Sequence, residues 1–215
     1  LVSVNGLTTL ENAAAWAVEH GVHLASMSMS FYGNSFHDGT GPVNAVVDRM
    51  AGGGVLLVSS AGNSAEEHWI EEFRDTDQDG FHEFRDGSEA LAVWFDGGSS
   101  RLQILWDQFD NCGDTDLDAY VWTADGILAG RAEERQTAGR PSCAPVETAS
   151  LWLDEPGWTW VQVRRAAGDA HTRFALYARG GEVWEAIGAG AIADPGSNPL
   201  TFTVGAAWAA RYPDG

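Results

Sequence analysis

The spacing of apolar residues changes near position 65, and this change constrains the fold of the chain more than any other feature of the sequence. Before it, helix-like segments alternate with short apolar segments such as VHLASMS and VLLVSS, and the connections between them are short. Alternating helices and strands of this kind are typical of a parallel sheet that helices cover on both faces. We therefore predict an α/β segment with buried parallel strands over positions 1–68.

From about position 69 to 187 the apolar residues recur with a period of two. Segments such as RLQILWD, DAYVWT and TWVQVRR are short, rich in aromatic and β-branched residues, and separated by Gly, Asp and Pro. This pattern predicts an antiparallel β-sandwich. We expect most of the ten Trp residues to pack in its core, and a sugar-binding platform is the alternative.

The chain becomes small and apolar again after the segment EVWEAI, and LTFTVGAAW predicts a further buried strand. The predicted fold class is therefore α/β, with a partial parallel sheet and helices, interrupted by an antiparallel β-sandwich insertion. The predicted domains are an α/β segment over 1–68, the inserted β-sandwich over 69–187, and a return to the α/β segment over 188–215.

The charge of the chain narrows its possible partners. Twelve basic residues, all of them Arg, stand against 31 acidic residues, and the net charge is -19. Such a surface repels phosphate backbones and anionic lipids. No apolar run reaches the roughly 18–20 residues that cross a bilayer. We therefore predict neither nucleic acid nor membrane as a partner.

The acidic, lysine-free composition suits an extracellular, secreted protein, and we predict that location. The sequence begins with Leu and shows no signal peptide. We therefore interpret it as a piece of a longer protein whose targeting segment lies elsewhere.

Two stretches resemble the middle of a subtilisin-like serine protease. LASMSMS is followed by GTGPVNAVVDRMAGGGVLLVSSAGNS, where the family has a strand ending in Asn-Met-Ser-Leu-Gly, a helix, and a strand ending in Ala-Gly-Asn. IADPGSNPLTFTVGAAW resembles the next strand, which carries a Pro-rich turn and Val-Gly-Ala. The resemblance covers about 9–65 and 188–210. The block between them is similar to the jelly-roll or pre-peptidase-C-terminal-like sandwich that some of these proteases carry.

The resemblance implies roles for the residues that follow the two predicted strands. Asn63 matches the asparagine of the oxyanion hole, whose side-chain amide donates to the negative oxygen formed when serine attacks a peptide carbonyl. Two further segments match the strands that bind an extended substrate and form the walls of its specificity pocket. Their residues are Ser28, Met29 and Ser30 in the first segment and Ser60, Ala61 and Gly62 in the second.

The same residues have simpler interpretations. Gly62-Asn63 is also a common turn, and Ser28 to Ser30 could serve strand packing alone. The family has Gly-Gly where this chain has Ser30-Phe31, which puts the depth of the pocket in question.

The chain lacks the motifs of the family's catalytic triad. There is no Asp-Ser/Thr-Gly, no His-Gly-Thr-His and no Gly-Thr-Ser. The resemblance thus implies the central fragment of a secreted endopeptidase that acts on polypeptides, and the fragment alone should be inactive. Two alternatives stay open. The sandwich is a non-catalytic module that binds calcium and a protein or glycan, or the longer protein is a pseudoprotease.

The segment DTDQDGFHEFRD places oxygen-bearing groups at regular spacing. Counted from Asp75, carboxylates occupy positions one, three, five, nine and twelve, and a glycine occupies position six. Ca²⁺ binds several oxygen ligands around a tight turn of this kind. The predicted ligands are Asp75, Asp77, Asp79, the Phe81 carbonyl, Glu83 and Asp86. A solvated acidic loop is the alternative, and the less regular set Asp107, Asp110, Asp114, Asp116 and Asp118 could bind a second ion.

Cys112 and Cys143 are the only cysteines. Both lie in the predicted sandwich, and a disulfide between them suits a secreted protein. Two free thiols are the alternative.

Overall fold

The computed structural model describes residues 1–109, 114–136, 144–168 and 171–206. Two helices and twelve strands lie in these ranges. The chain divides into two compact units, Leu1–Gly62 with Ile192–Gly215, and Asn63–Ala191. The predicted insertion, 69–187, lies within the second unit, and its origin as an insertion stays a prediction.

The elements follow one another in a simple order along the chain. They are α1 (Leu7–Glu19), β1 (Leu24–Met27), α2 (Gly41–Gly52), β2 (Leu56–Ser60), β3 (His68–Glu72), β4 (Leu91–Phe95), β5 (Gly98–Trp106), β6 (Asp116–Thr123), β7 (Leu128–Ala132), β8 (Val146–Leu153), β9 (Gly157–Ala167), β10 (Arg173–Arg179), β11 (Gly181–Val183) and β12 (Phe202–Val204). Neither helix is long and apolar enough to cross a membrane, and this holds for the described ranges.

The first unit contains a three-stranded sheet in the order β1-β2-β12, and both strand pairs are parallel. Apolar side chains recur at helical spacing in α1 and α2 and form one cluster with Leu57 of β2. Ala25 and Met27 of β1 pack against this cluster. Because side chains alternate across a strand, these residues define the covered face of the sheet.

The opposite face of this sheet is open. Leu24 is 59% exposed, Leu56 45% and Phe202 62%, and the pairing of Leu24 with Leu56 and of Val58 with Phe202 places these apolar residues on one face. The prediction of buried strands with helices on both faces is therefore wrong for the described chain. Both helices contribute to the same cluster, so they cannot cover both sides.

The second unit is a β-sandwich of two antiparallel sheets. One has four strands in the order β3-β10-β5-β8, and the other has five in the order β11-β4-β9-β6-β7. Apolar residues at alternate positions of both sheets meet in one buried cluster, which includes Val93, Ile104, Val121, Val161 and Leu176. The period of two in the sequence places these residues on the inner faces.

The predicted α/β fold class is wrong. Nine of the twelve strands belong to the antiparallel sheets, and the described chain has only two helices. The structure is mostly β. Helices and strands do alternate in the first 60 residues, but this segment is short, and the sandwich contributes nine of the twelve described strands and the larger of the two apolar clusters.

Candidate functional site

The two segments that sequence reasoning assigned to a substrate groove leave the parallel sheet at one edge. Met27 at the end of β1 lies opposite Ser59 of β2, and Ser60 lies opposite Val204 of β12. Ser28 and Ser30 follow the first strand, and Asn63 follows the second. In open parallel sheets, binding groups collect beyond this carboxyl edge.

Ser30 and Gly62 lie side by side at that edge. Gly62 has a φ of +79°, and a Cβ added to it would stand 3.8 Å from Ser30 Oγ and 3.8 Å from the Tyr32 hydroxyl. A side chain at position 62 would be strained by this φ and would also fill the space between the two segments. The structure thus brings together the two predicted walls of the groove.

Asn63 begins the turn that follows Gly62, and its side chain is exposed to solvent. Ser64, the next residue, is buried, and its hydroxyl donates to Glu67 Oε2 at 3.3 Å. The Asn63 amide is therefore accessible to solvent. The turn interpretation of Gly62-Asn63 is compatible with the same backbone.

Asp194 makes hydrogen bonds to the loop that follows Ser30. The sequence alone did not indicate this residue. This aspartate is fully buried, and its carboxylate accepts hydrogen bonds from Ser35 Oγ at 2.5 Å, Asn44 Nδ2 at 2.8 Å and Ser197 Oγ at 2.5 Å. Its backbone carbonyl accepts a bond from the Phe31 amide at 2.8 Å. One carboxylate therefore joins the loop after β1, helix α2 and the turn before β12.

Burial around this carboxylate also affects a histidine. Desolvation lowers the pKa of His37, although the negative charge of Asp194 opposes the shift. The His37 amide donates to Ser35 Oγ at 3.0 Å, and its ring meets the edge of Tyr32. Its contacts are those of a packed loop residue.

The predicted calcium ligands do not all converge. A carboxylate oxygen of each of Asp75, Asp77 and Asp79 lies within 4.8 Å of the other two. Glu83 accepts hydrogen bonds from the Thr76 amide at 3.2 Å and the Thr76 hydroxyl at 2.5 Å. The hydroxyl bond is the first cause of a lowered pKa of Glu83.

The other two predicted ligands, Asp86 and Phe81, make different contacts. Asp86 Oδ1 accepts the Ser88 amide at 2.8 Å, and Phe81 forms an isolated bridge with Arg164 of β9. The structure thus brings together the first three carboxylates and leaves the last two in other hydrogen bonds.

Sequence reasoning missed an additional acid beside the loop. Desolvation raises the pKa of Glu89, and the negative charges of Asp79, Asp77, Glu83 and Asp75 raise it further. Several carboxylates are therefore close enough to repel one another in the absence of a cation.

The aspartates between 107 and 118, which the sequence suggested as a second ion site, have different surroundings. Asp116 and Asp118 lie in β6 with buried side chains, and burial is the first cause of the raised pKa of each. Asp107 Oδ1 accepts the Arg173 amide at 3.2 Å. Asp110, Cys112 and Cys143 lie outside the described residues, and the predicted disulfide stays a prediction.

A cleft lined by tryptophan opens on the second unit. It has a volume of about 620 Å³, and its walls include Trp69, Trp158, Trp160 and Trp184. Trp158 is 39% exposed, Trp160 42% and Trp184 59%. The Arg85 guanidinium lies 5.3 Å from the centre of the Trp69 ring. The expectation that most Trp residues pack in the core misses this surface, because the period of two does not tell an outer face from an inner one.

No family model matches the sequence, and no curated protein does. Among solved structures, the chain is similar to the CspB protease of Clostridium perfringens, with 13% identity and a TM-score of 0.60. The match covers 97% of this chain and 47% of that protein, so the chain spans about half the length of this neighbour. At this identity the likeness shows the fold alone, which is shared with part of a protease.

A second match is to a cycloisomaltooligosaccharide glucanotransferase of a Paenibacillus species. The identity is 13%, the coverage is 79% of this chain and 26% of the other, and the TM-score is 0.26. A TM-score this low carries no argument about fold or ligand.

Proposed function

We propose that this chain is the central part of the catalytic domain of a secreted, subtilisin-like serine endopeptidase. The observation that carries the proposal is the meeting of Ser30 and Gly62 at the carboxyl edge of the parallel sheet, next to the exposed Asn63. The fold that the chain shares with part of a protease supports it.

The proposed chemistry is stabilisation of a tetrahedral intermediate. When a serine attacks a peptide carbonyl, negative charge develops on the carbonyl oxygen, and a positioned donor stabilises that charge. The NH₂ group of Asn63 is such a donor, and it carries no proton that is lost at neutral pH. Ser28 to Ser30 would add backbone hydrogen bonds to an extended substrate.

The open face of the parallel sheet supports a larger parent domain. Leu24, Leu56, Phe202 and Val204 leave apolar side chains in solvent on one face. Soluble proteins rarely expose a contiguous apolar face without a partner to cover it. Further segments of a catalytic domain are the occupants that this proposal assigns to that face.

The nucleophile and the general base would come from outside this chain, since none of the three triad motifs is present. The chain alone should therefore hydrolyse no peptide bond. Loss of the triad leaves only weak residual catalysis from binding and oxyanion contacts.

The experiment compares the full-length protein with this chain. Both are treated with a fluorophosphonate probe, which labels an activated serine, and assayed with casein and peptide anilides. The proposal expects labelling and turnover in the full-length protein and neither in the chain. A full-length protein that folds but is neither labelled nor active would be a pseudoprotease, and this outcome rejects the proposal.

Glycan binding by the sandwich is a second candidate function, favoured by the cleft of Trp158, Trp160 and Trp184. Exposed indole rings stack on the apolar faces of sugar rings, and polar groups at the margin fix their hydroxyls. Asp86, Ser88 and Glu185 supply such groups at the cleft. Titration of the chain with gluco-, xylo- and chito-oligosaccharides, followed by tryptophan fluorescence, tests this function. A spectrum that no oligosaccharide changes would reject it.

A further inference from the structure

The loop between β3 and β4 holds three carboxylates at one point. A carboxylate oxygen from each of Asp75, Asp77 and Asp79 lies within 4.8 Å of the other two. Like charges at this separation repel, so an acidic loop without a ligand gains by spreading these groups into solvent. The spacing instead resembles that of oxygens that share one cation.

The buried member of the group gives independent evidence for a ligand. The Asp75 side chain is only 3% exposed. Its Oδ2 lies 3.2 Å from Arg165 Nη2, whereas its Oδ1 is buried and accepts no hydrogen bond from the described residues. A buried carboxylate oxygen without a partner is costly, and native proteins supply one in almost every case. A bound cation would be that partner.

The backbone fixes the loop against the sandwich. The Arg165 amide donates to the Gly80 carbonyl at 2.9 Å, and the His82 amide donates to the Val163 carbonyl at 2.8 Å. The Arg165 guanidinium also lies over the Phe73 ring at 4.8 Å from its centre. The positions of the three carboxylates therefore depend on strand β9 as well as on the loop itself. A site held this way loses less entropy when it binds an ion.

From this geometry we infer that Asp75, Asp77 and Asp79 bind a Ca²⁺ ion. The inference replaces the ligand set that sequence spacing alone predicts, because Glu83 and Asp86 are held in other hydrogen bonds. It is independent of the proposed peptidase function and of glycan binding.

The donor chemistry selects calcium over other common ions. The three side chains offer carboxylate oxygens only, whereas zinc prefers nitrogen and sulfur. The nearby His82 does not change this, since its Nε2 lies 2.8 Å from Glu71 Oε1 and its Nδ1 accepts the Arg74 amide at 2.9 Å. Magnesium retains several waters and demands octahedral geometry, so a compact carboxylate group suits calcium better.

The test uses the whole chain, freed of metal with a chelator and then titrated with CaCl₂. Calorimetry measures the affinity, and thermal unfolding measures the stabilisation that binding to the folded state produces. We expect saturable binding and a melting temperature that rises with calcium. Equal ionic strength from NaCl should not reproduce the rise, and MgCl₂ should reproduce it only weakly.

The decisive variant is the double substitution Asp77→Asn and Asp79→Asn. Asparagine keeps the oxygens that accept the Asp79 and Phe81 amides, so the turn should persist while two ligand charges are lost. We expect calcium affinity to fall about tenfold or more, since affinity follows the number of ligand charges. Circular dichroism at low temperature verifies that the variant is folded.

The matched control is Asp125→Asn with Asp154→Asn, which removes two exposed charges elsewhere on the second unit. It should bind calcium like the wild type. A wild-type chain with no saturable calcium binding would overturn the inference. A folded Asp77→Asn, Asp79→Asn variant that binds calcium as tightly as the control would also overturn it. Calcium would then be bound by the acidic surface in general.

Discussion

The side-chain amide of Gln136 donates a 2.7 Å hydrogen bond to Oε1 of Glu147, a residue of β8 that is only 2% exposed. Burial raises the pKa of Glu147 to about 7, although this hydrogen bond opposes the shift. The folded protein therefore keeps a proton on Glu147 at pH values where the unfolded chain, with an ordinary carboxyl pKa near 4.5, has lost it.

This difference predicts a pH-dependent loss of stability. Between about pH 4.5 and pH 7 the folded state binds more protons than the unfolded state, so the contribution of Glu147 declines as the pH rises and levels off above 7. Replacing Glu147 with Gln removes the titrating group. The free energy of unfolding of the variant, relative to that of wild type, should therefore increase by about 1–2 kcal/mol as the pH rises from 5 to 8, allowing for partial screening by water.

Urea unfolding at pH 5, 6, 7 and 8 measures this gain. Glu182→Gln is the control, because Glu182 is an exposed acid of β11. A difference between Glu147→Gln and wild type that stays constant over this pH range would show that Glu147 does not titrate as described.

Asp194 should be needed for the stability of the first unit. Replacement by Ala removes the acceptor of the buried Ser35 hydroxyl and the partly buried Ser197 hydroxyl, and one of the two acceptors of the Asn44 amide, so we expect a loss of about 2–4 kcal/mol. Asp194→Asn keeps one acceptor oxygen and should cost less. Equilibrium urea unfolding measures both losses, with the exposed Glu19→Ala as control. Equal stability of Asp194→Ala and this control would refute the role of the network.

The tryptophan cleft gives a prediction with a control in the other unit. If a glycan binds there, Trp160→Ala should weaken binding about tenfold or more, because the ring supplies much of the contact area. Trp16→Ala removes a tryptophan of similar exposure from α1, where the ring stacks on His20, and should leave binding unchanged. Fluorescence or calorimetric titration with the best oligosaccharide measures both. Equal losses in the two variants would place the sugar elsewhere.

The sequence predicts strand periodicity well, because the apolar or polar character of each residue indicates whether its side chain is buried. The period of two over 69–187 indicates antiparallel strands, and β5, β8 and β9 alternate as expected. The same reasoning gives the wrong fold class for the chain. Local periodicity identifies the short α/β segment and the longer sandwich, but it does not show which of them contributes most of the structure. It also cannot show that one face of the β1-β2-β12 sheet is left open.

Sites made by distant residues are beyond such reasoning. Asp75, Asp77 and Asp79 are visible because their spacing is local, but the contact of Asp75 with Arg165 spans 90 residues. The bond between Asn44 and Asp194 spans 150 residues. Neither pairing leaves a pattern in a single sequence. The two segments that we propose as a substrate groove were predicted only because their motifs resemble those of a known family.

The proposal as a whole depends on Asn63, and its substitution in the full-length protein is the most direct test. If Asn63 is the proposed oxyanion donor, Asn63→Ala removes a hydrogen bond made mainly in the transition state, so kcat should fall while KM changes little. The expected loss is about 10²–10³-fold, the size known for removal of this kind of donor from subtilisin itself. Asn12→Ala, at an exposed position of α1, is the control.

Active-site-titrated kcat, measured beside the melting temperature, decides between a catalytic donor and a turn residue. We expect Asn63→Ala to lose at least about a hundredfold in kcat and to keep the melting temperature of the control. An Asn63→Ala enzyme with the kcat of wild type, whether or not its melting temperature falls, would contradict the assignment of Asn63 to an oxyanion hole.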